Sequence, residues 1–274
     1  MIRRGPAPNR ARRSSPPGTG TFSTYIPPSC PTNTPVYARG VSARVTVIEH
    51  EAEAGLGYFA GWLGDVVVHR PYLGDALPGD PGDGLLVLGG AASAWDDENH
   101  PWLPATRALL RAAVEHEVPT LGVCLGAQLM TLACGGQVTR GGNGLEVGLG
   151  EIVPVADDRL FGHLTGPVPA IQYHQDAMTV LPDGAVLIAT GAQYPHQAFR
   201  IGHNAWGVQF HPEATPAIFA QWTTELTTHP AEELNEQVSA AEAGLVAAWR
   251  PLAEAFAAVV AENARSGSIT VRNH

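Results

Sequence analysis

Residues 122–128, Gly-Val-Cys-Leu-Gly-Ala-Gln, set Cys124 between two glycines, at the end of a short apolar run and the start of a helix-forming one. This is the layout of a nucleophile elbow, with cysteine in place of serine. So tight a turn leaves no room for a nearby Cβ and holds the nucleophile in a strained conformation, which is why flanking glycines matter. A helix starting just after the sulfur directs its first N–H groups and its positive dipole end at it, which favours a thiolate. Thiol chemistry then needs a base and a group to orient that base. Residues 207–213, Gly-Val-Gln-Phe-His-Pro-Glu, offer both. A β run is expected to end in His211. Residues i and i+2 of an extended segment share a face, and the residue before proline avoids the helical region. Glu213 is therefore expected to reach the imidazole while His211 points at the sulfur. Donors for a developing oxyanion complete the set. The N–H of Leu125 is one candidate, and Gly89-Gly90, after the run 85–88, supplies another.

These residues need a scaffold that brings strand ends together. Short apolar runs at 44–49, 66–68, 85–88 and 120–123 read as buried strands. Helical spacing at 56–63, 102–116 and 127–132 alternates with them. Such alternation predicts a doubly wound α/β fold, a mostly parallel sheet flanked by helices. Ligands bind beyond the carboxyl ends of such strands, where Gly89-Gly90 and Cys124 both lie. After Gly135 the runs shorten (147–155, 170–173, 185–189, 197–201, 205–210) and predict an antiparallel or mixed addition to the sheet. Helices are expected at 216–226 and at 231–264, the latter interrupted at Pro251. The segment 141–144, Gly-Gly-Asn-Gly, does not join a strand to a helix and reads as a flexible loop.

Composition narrows the chemistry. The chain has 274 residues and a formal net charge of −10, which argues against nucleic-acid binding. Arginines dominate the first 44 residues, which contain no acid, so the body is more acidic than the whole. All 16 basic residues are arginine. Without lysine there is no Walker A phosphate loop, no Schiff base and no lysine general base. The cysteines, Cys30, Cys124 and Cys134, form no CxxC pair, so neither a disulfide framework nor a metal site is expected, and a reducing cytoplasm fits. No uninterrupted apolar run of the ~18 residues a membrane helix needs stands out. Residues 1–42, rich in Arg and Pro, are expected to be a disordered extension. The folded domain is expected over 43–264, with a flexible tail at 265–274.

Three elements together resemble the class I glutamine amidotransferases of the Cys-His-Glu type: GVCLGAQ at 122–128, GVQFHPE at 207–213 and the glycine pair after LLVL. Within that family the chain is most similar to stand-alone proteins like the glutaminase domain of GMP synthase. DDENHPWL at 96–103, EVG at 146–148, QYHQD at 172–176 and QAFRIG at 197–202 agree with that subgroup. The resemblance implies a flavodoxin-like fold and a cofactor-free glutaminase. Cys124 would attack the glutamine amide, with His211 as proton carrier and Glu213 as its support. The N–H groups of Gly90 and Leu125 would hold the oxyanion. Gln128 would contact the substrate, and His174 and Asp176 would line its cleft. The family usually has proline where this chain has Ala91. No SGGxDS nucleotide-activating loop follows the triad, which implies a separate ammonia-accepting synthetase subunit. The alternative is a γ-glutamyl peptidase or hydrolase using the same three residues.

Overall fold

The computed structural model describes residues 43–271; the extension expected over 1–42 lies outside the described residues. The first half alternates β1 (Val45–Ile48), α1 (Phe59–Trp62), β2 (Val66–His69), β3 (Gly84–Val87), α2 (Leu103–Glu115), β4 (Thr120–Val123) and α3 (Leu125–Ala133). The second half runs β5 (Gln137–Arg140), β6 (Glu146–Pro154), β7 (Val168–His174), β8 (Asp176–Val180), β9 (Val186–Thr190), β10 (Ala198–Ile201), β11 (Ala205–Val208), α4 (Pro216–Trp222), α5 (Ala231–Ala240) and α6 (Glu242–Val271). Nine strands form one sheet in the order β2-β1-β3-β4-β11-β10-β9-β6-β7. The pairs from β2 to β11 are parallel and those from β11 to β7 antiparallel. The doubly wound, mixed sheet expected from the pattern is the one observed.

The central strands are short apolar runs because both their faces are covered. Leu85 and Val87 pack with Leu110, Leu129 and Met130 on the α2/α3 side. Their neighbours Leu86 and Leu88 pack on the other side with Phe59, Trp249, Leu252 and Phe256. Fully burying each such side chain stabilises the fold by roughly 1.5–3 kcal/mol. By length and composition α6 could cross a bilayer, contrary to the absence of such a stretch expected from sequence. Its apolar face instead packs into the core through Trp249, Leu252, Phe256 and Val260.

Several local expectations shift. The helical break falls at Ala241, between α5 and α6, and Pro251 sits inside α6. Near this proline Ala248 O accepts a bond from the His163 ring at 2.7 Å. The helix α6 also continues into the segment 265–271, where a tail was expected. Two short strands, β5 and β8, pair into a separate two-stranded sheet that the sequence pattern did not mark. The 141–144 loop is pinned rather than loose: Tyr194 donates to Gly144 O at 2.5 Å, and Gly141 N–H to Gln175 O at 2.7 Å.

Candidate active site

Cys124 lies between β4 and α3 with φ 47° and ψ −105°, a conformation L-residues rarely adopt. Its own N–H donates to Val208 O at 2.8 Å and its carbonyl accepts from Gln128 N–H at 3.0 Å. Both bonds tie the elbow, one to the neighbouring parallel strand β11, the other to the first turn of α3. The two glycines allow the close approach. A Cβ on Gly122 would lie 2.7 Å from the carbonyl carbon of Gly126, and one on Gly126 would overlap Val87 O.

His211 and Glu213 meet as expected, by a different local route. The strand β11 ends at Val208, three residues before His211. Its backbone bonds then divert: Gln209 N–H goes to Gln197 O, and His211 N–H to Ile171 O of β7. A turn follows rather than an alternating strand. The His211 Nδ1–H still donates to Glu213 Oε1 at 2.8 Å, with both side chains almost fully buried. A further hydrogen bond joins the ring to Cys124. Trp222 of α4 packs against the imidazole, ring centroids 4.6 Å apart, and is itself anchored by its indole N–H on Glu53 O.

Burial is the largest single influence on His211 and disfavours its charge. It is outweighed by the charges of Glu213 and Cys124 and the hydrogen bonds to both, so the imidazole is pushed up to about 10. His211 is accordingly an imidazolium at neutral pH. The stability it contributes is fully present below its ordinary value and is lost as pH rises through about 10.

The N–H groups of Gly90 and Leu125 have no hydrogen-bond acceptor among the described residues. Gly90, Cys124 and His211 border one cleft of about 730 Å³. It opens beyond the carboxyl ends of the parallel strands. A second depression, about 650 Å³ between α4 and α5, is lined by Thr, Ser, Asn and Glu side chains and contains no cysteine or histidine.

The remaining expected residues, Gln128, His174 and Asp176, line the same cleft. Gln128 lines it, but its side-chain amide donates to Asp176 O at 2.9 Å and Gln209 Oε1 at 3.3 Å. Only its carbonyl oxygen is left for a ligand. The His174 ring is committed at both nitrogens, to Asp176 O at 3.0 Å and Glu146 Oε2 at 2.8 Å. The Asp176 carboxylate accepts from Ser93 Oγ at 2.7 Å and lies 2.6 Å from Arg140 Nε. Sequence reasoning gave no role to Gln209, whose amide donates to Cys124 Sγ at 3.6 Å. Its place two residues before the histidine, inside the GVQFHPE segment, was the available signal. Trp222 and Glu51 carried no signal, because only tertiary packing brings them to the cleft. No group of three or more His, Cys, Asp or Glu suited to a metal occurs among the described residues.

Comparison with known proteins agrees with this geometry. A family model described as glutamine amidotransferase class-I matches residues 73–225, more than half of the chain. Gamma-glutamyl peptidase 5 of Arabidopsis thaliana is 30% identical over 144 residues, covering 51% of this chain and 57% of that protein. A glutamine-hydrolysing GMP synthase of Porphyromonas gingivalis is 34% identical over 132 residues, covering 47% of this chain and 24% of its own length. The matched part thus spans between a quarter and just over half of these relatives. Among solved structures, a glutamine amidotransferase from Thermotoga maritima superposes with a TM-score of 0.72 at 27% identity, covering 79% of this chain and 98% of that one. A glutamine amidotransferase from Methylobacillus flagellatus gives 0.70 at 26% identity, covering 81% and 95%. The chain belongs to the class-I glutamine amidotransferase family.

Proposed function

We propose that the chain hydrolyses the side-chain amide of glutamine through a thioester on Cys124, releasing ammonia. The observation that carries this reading is the buried line Cys124–His211–Glu213, whose cysteine and imidazole border the same cleft as Gly90, with the unpaired Leu125 N–H next to the nucleophile. An imidazolium beside the sulfur pairs with a thiolate, which attacks the amide carbon. The C=O bond opens to an oxyanion that the N–H groups of Gly90 and Leu125 stabilise. As the tetrahedral species collapses, the C–N bond breaks and His211 gives its proton to the departing ammonia. The imidazole, now neutral, takes a proton from water, which attacks the thioester. Glutamate leaves and the thiolate–imidazolium pair is restored. Glu213 holds Nδ1–H throughout, so that the other ring nitrogen faces the chemistry. The released ammonia would pass to a separate synthetase subunit.

A second reading replaces ammonia by a larger amine, making the chain a γ-glutamyl peptidase. The size of the cleft favours it, since about 730 Å³ exceeds what glutamine alone fills and lies in the range of pockets holding drug-sized ligands, about 300–1,000 Å³. Glutamate release from glutamine and from γ-glutamyl dipeptides separates the two. Release from both, lost on alkylation of Cys124, supports the thioester chemistry; release from the dipeptide alone selects the second reading. Turnover of neither rejects both.

The proton inventory has its own consequence. Turnover should decline as pH rises through about 10, where His211 loses the proton it must donate. In Glu213→Gln the neighbouring carboxylate is gone, so burial regains weight and the imidazolium loses its proton at lower pH. A pH–rate profile should show the alkaline limb displaced downward, with kcat at neutral pH reduced about 100-fold.

A further inference from the structure

The loop after β3 carries two consecutive N–H groups with different fates. That of Gly90 is unpaired among the described residues, whereas that of Ala91 donates to Glu51 Oε1 at 3.2 Å. Glu51 lies in the turn after β1. The strands β1 and β3 are parallel neighbours with Ile48 opposite Val87, so both loops leave from the same end of the sheet. His50, fully in the core, closes the other side. A Cβ added to Gly90 would lie 3.1 Å from His50 Cβ and 3.1 Å from Leu125 Cδ2. Trp102 donates its indole N–H to His50 Nδ1 at 3.0 Å and fixes that ring. Gly90 is therefore boxed between the β1 loop and the start of α3. Next to Gly90 the loop is tethered by the Glu51 carboxylate at Ala91 N–H, and two residues farther on by Ser93 Oγ, which donates to Asp176 at 2.7 Å.

We infer that Glu51 is a positioning residue, whose carboxylate oxygen holds the peptide between Gly90 and Ala91 so that the Gly90 N–H stays aimed at the cleft. The tether absorbs the competing Ala91 N–H and fixes the backbone on the C-terminal side of Gly90, while His50 and Leu125 confine it sterically. A donor to a developing oxyanion contributes only if it is already aligned before the charge appears. Burial pushes the Glu51 carboxyl up, and the Ala91 N–H opposes that. Acceptance of the bond needs the oxygen but not the charge, so glutamine can replace glutamate in this role. The kinetic side of this inference rests on the proposed hydrolysis; the structural side does not.

Two measurements test it on the full-length chain, with wild type, Glu51→Ala, Glu51→Gln and Ala91→Pro. Hydrogen exchange of the 89–92 segment reads the tether without any turnover. Faster exchange in Glu51→Ala, returned to the wild-type rate in Glu51→Gln, is expected; unchanged exchange in Glu51→Ala overturns the inference even if no substrate is ever hydrolysed. Kinetics with glutamine or a γ-glutamyl dipeptide should show kcat about tenfold lower in Glu51→Ala with KM within about twofold, and most of the loss restored in Glu51→Gln. A raised KM with unchanged kcat would make Glu51 a substrate ligand instead and overturn the inference. So would equal losses in the Ala and Gln variants. Ala91→Pro removes the donated N–H, so adding Glu51→Ala to it should cost nothing further; a full additive loss would also sink the idea. If Glu51→Ala does not fold, Glu51→Gln and Ala91→Pro still decide, because the inference requires wild-type exchange at Gly90 in the first and indifference to Glu51→Gln in the second.

Discussion

Cys124→Ala is expected to lower glutamate release by about 10⁴-fold or more, with the fold intact. Among the described residues that line the cleft, Cys124 is the one cysteine, it is hydrogen-bonded to His211, and it directly precedes Leu125, whose N–H is unpaired. Removing the sulfur leaves a small apolar group in a site that is already closely packed, so little stability should be lost. The backbone supplies a sharper check. At φ 47° and ψ −105° any residue with a Cβ is strained, at a cost of about 1–3 kcal/mol. Alanine keeps that strain and glycine relieves it. Cys124→Gly should therefore be as inactive as Cys124→Ala yet melt higher, by about 2–4 °C for each kcal/mol recovered in a chain of this size. Part of the gain is offset by the greater unfolded-state freedom of glycine. Paired thermal melts and glutamate assays read both effects. Equal melting of the two variants would mean that the elbow stores no strain, and residual turnover in either would remove Cys124 from the chemistry.

The pH limb argued for His211 follows from the same wiring. A buried histidine that faces no anion loses its proton readily, as His50 illustrates. Burial, with a smaller contribution from the charge of His100, holds His50 down at about 3. His50 lies after β1 and His211 after β11; both are fully buried, and they differ mainly in the carboxylate and sulfur that act on His211. What distinguishes a proton carrier from a structural ring here is its partner rather than its depth.

Much of this arrangement was legible in the sequence because it is local. Glycines two residues either side of Cys124 marked the elbow, and His-Pro-Glu within three residues marked the pair that meets at 2.8 Å. The four central strands were legible because both faces are buried, which makes each an apolar run. What escaped depends on distant pairing. Strands β5 and β8 carry no continuous apolar run and pair with each other across about forty residues. The end of β11 at Val208 is set by acceptors on Gln197 and Ile171, which no local pattern reveals. The Gln128–Gln209–Cys124 chain of amides likewise needs α3 and the turn after β11 to be brought face to face.

The approach of α3 to β3 makes Gly126 the described glycine where an added Cβ would meet the closest atom. Gly126→Ala should destabilise the chain by about 3 kcal/mol or more, a large share of the 5–15 kcal/mol that holds a typical domain. The added methyl would overlap the carbonyl oxygen of Val87, with the Val87 Cβ only 3.1 Å away. A backbone carbonyl in the middle of a parallel sheet cannot rotate aside as a side-chain terminus can. Relief requires α3 to lift from the sheet, and Leu125, Leu129 and Met130, all buried on that face, would lift with it. The same displacement would carry the Leu125 N–H away from Gly90 and turn Cys124 relative to His211, so surviving folded molecules should also turn over more slowly. Gly142→Ala is the matched control: no atom lies within 4 Å of its added Cβ and its backbone is ordinary. Urea denaturation should show a lowered midpoint for Gly126→Ala and none of that shift for Gly142→Ala. A Gly126→Ala midpoint equal to wild type would mean that α3 rides farther from the sheet than described, and that the tight elbow is not what holds Cys124 beside its imidazole.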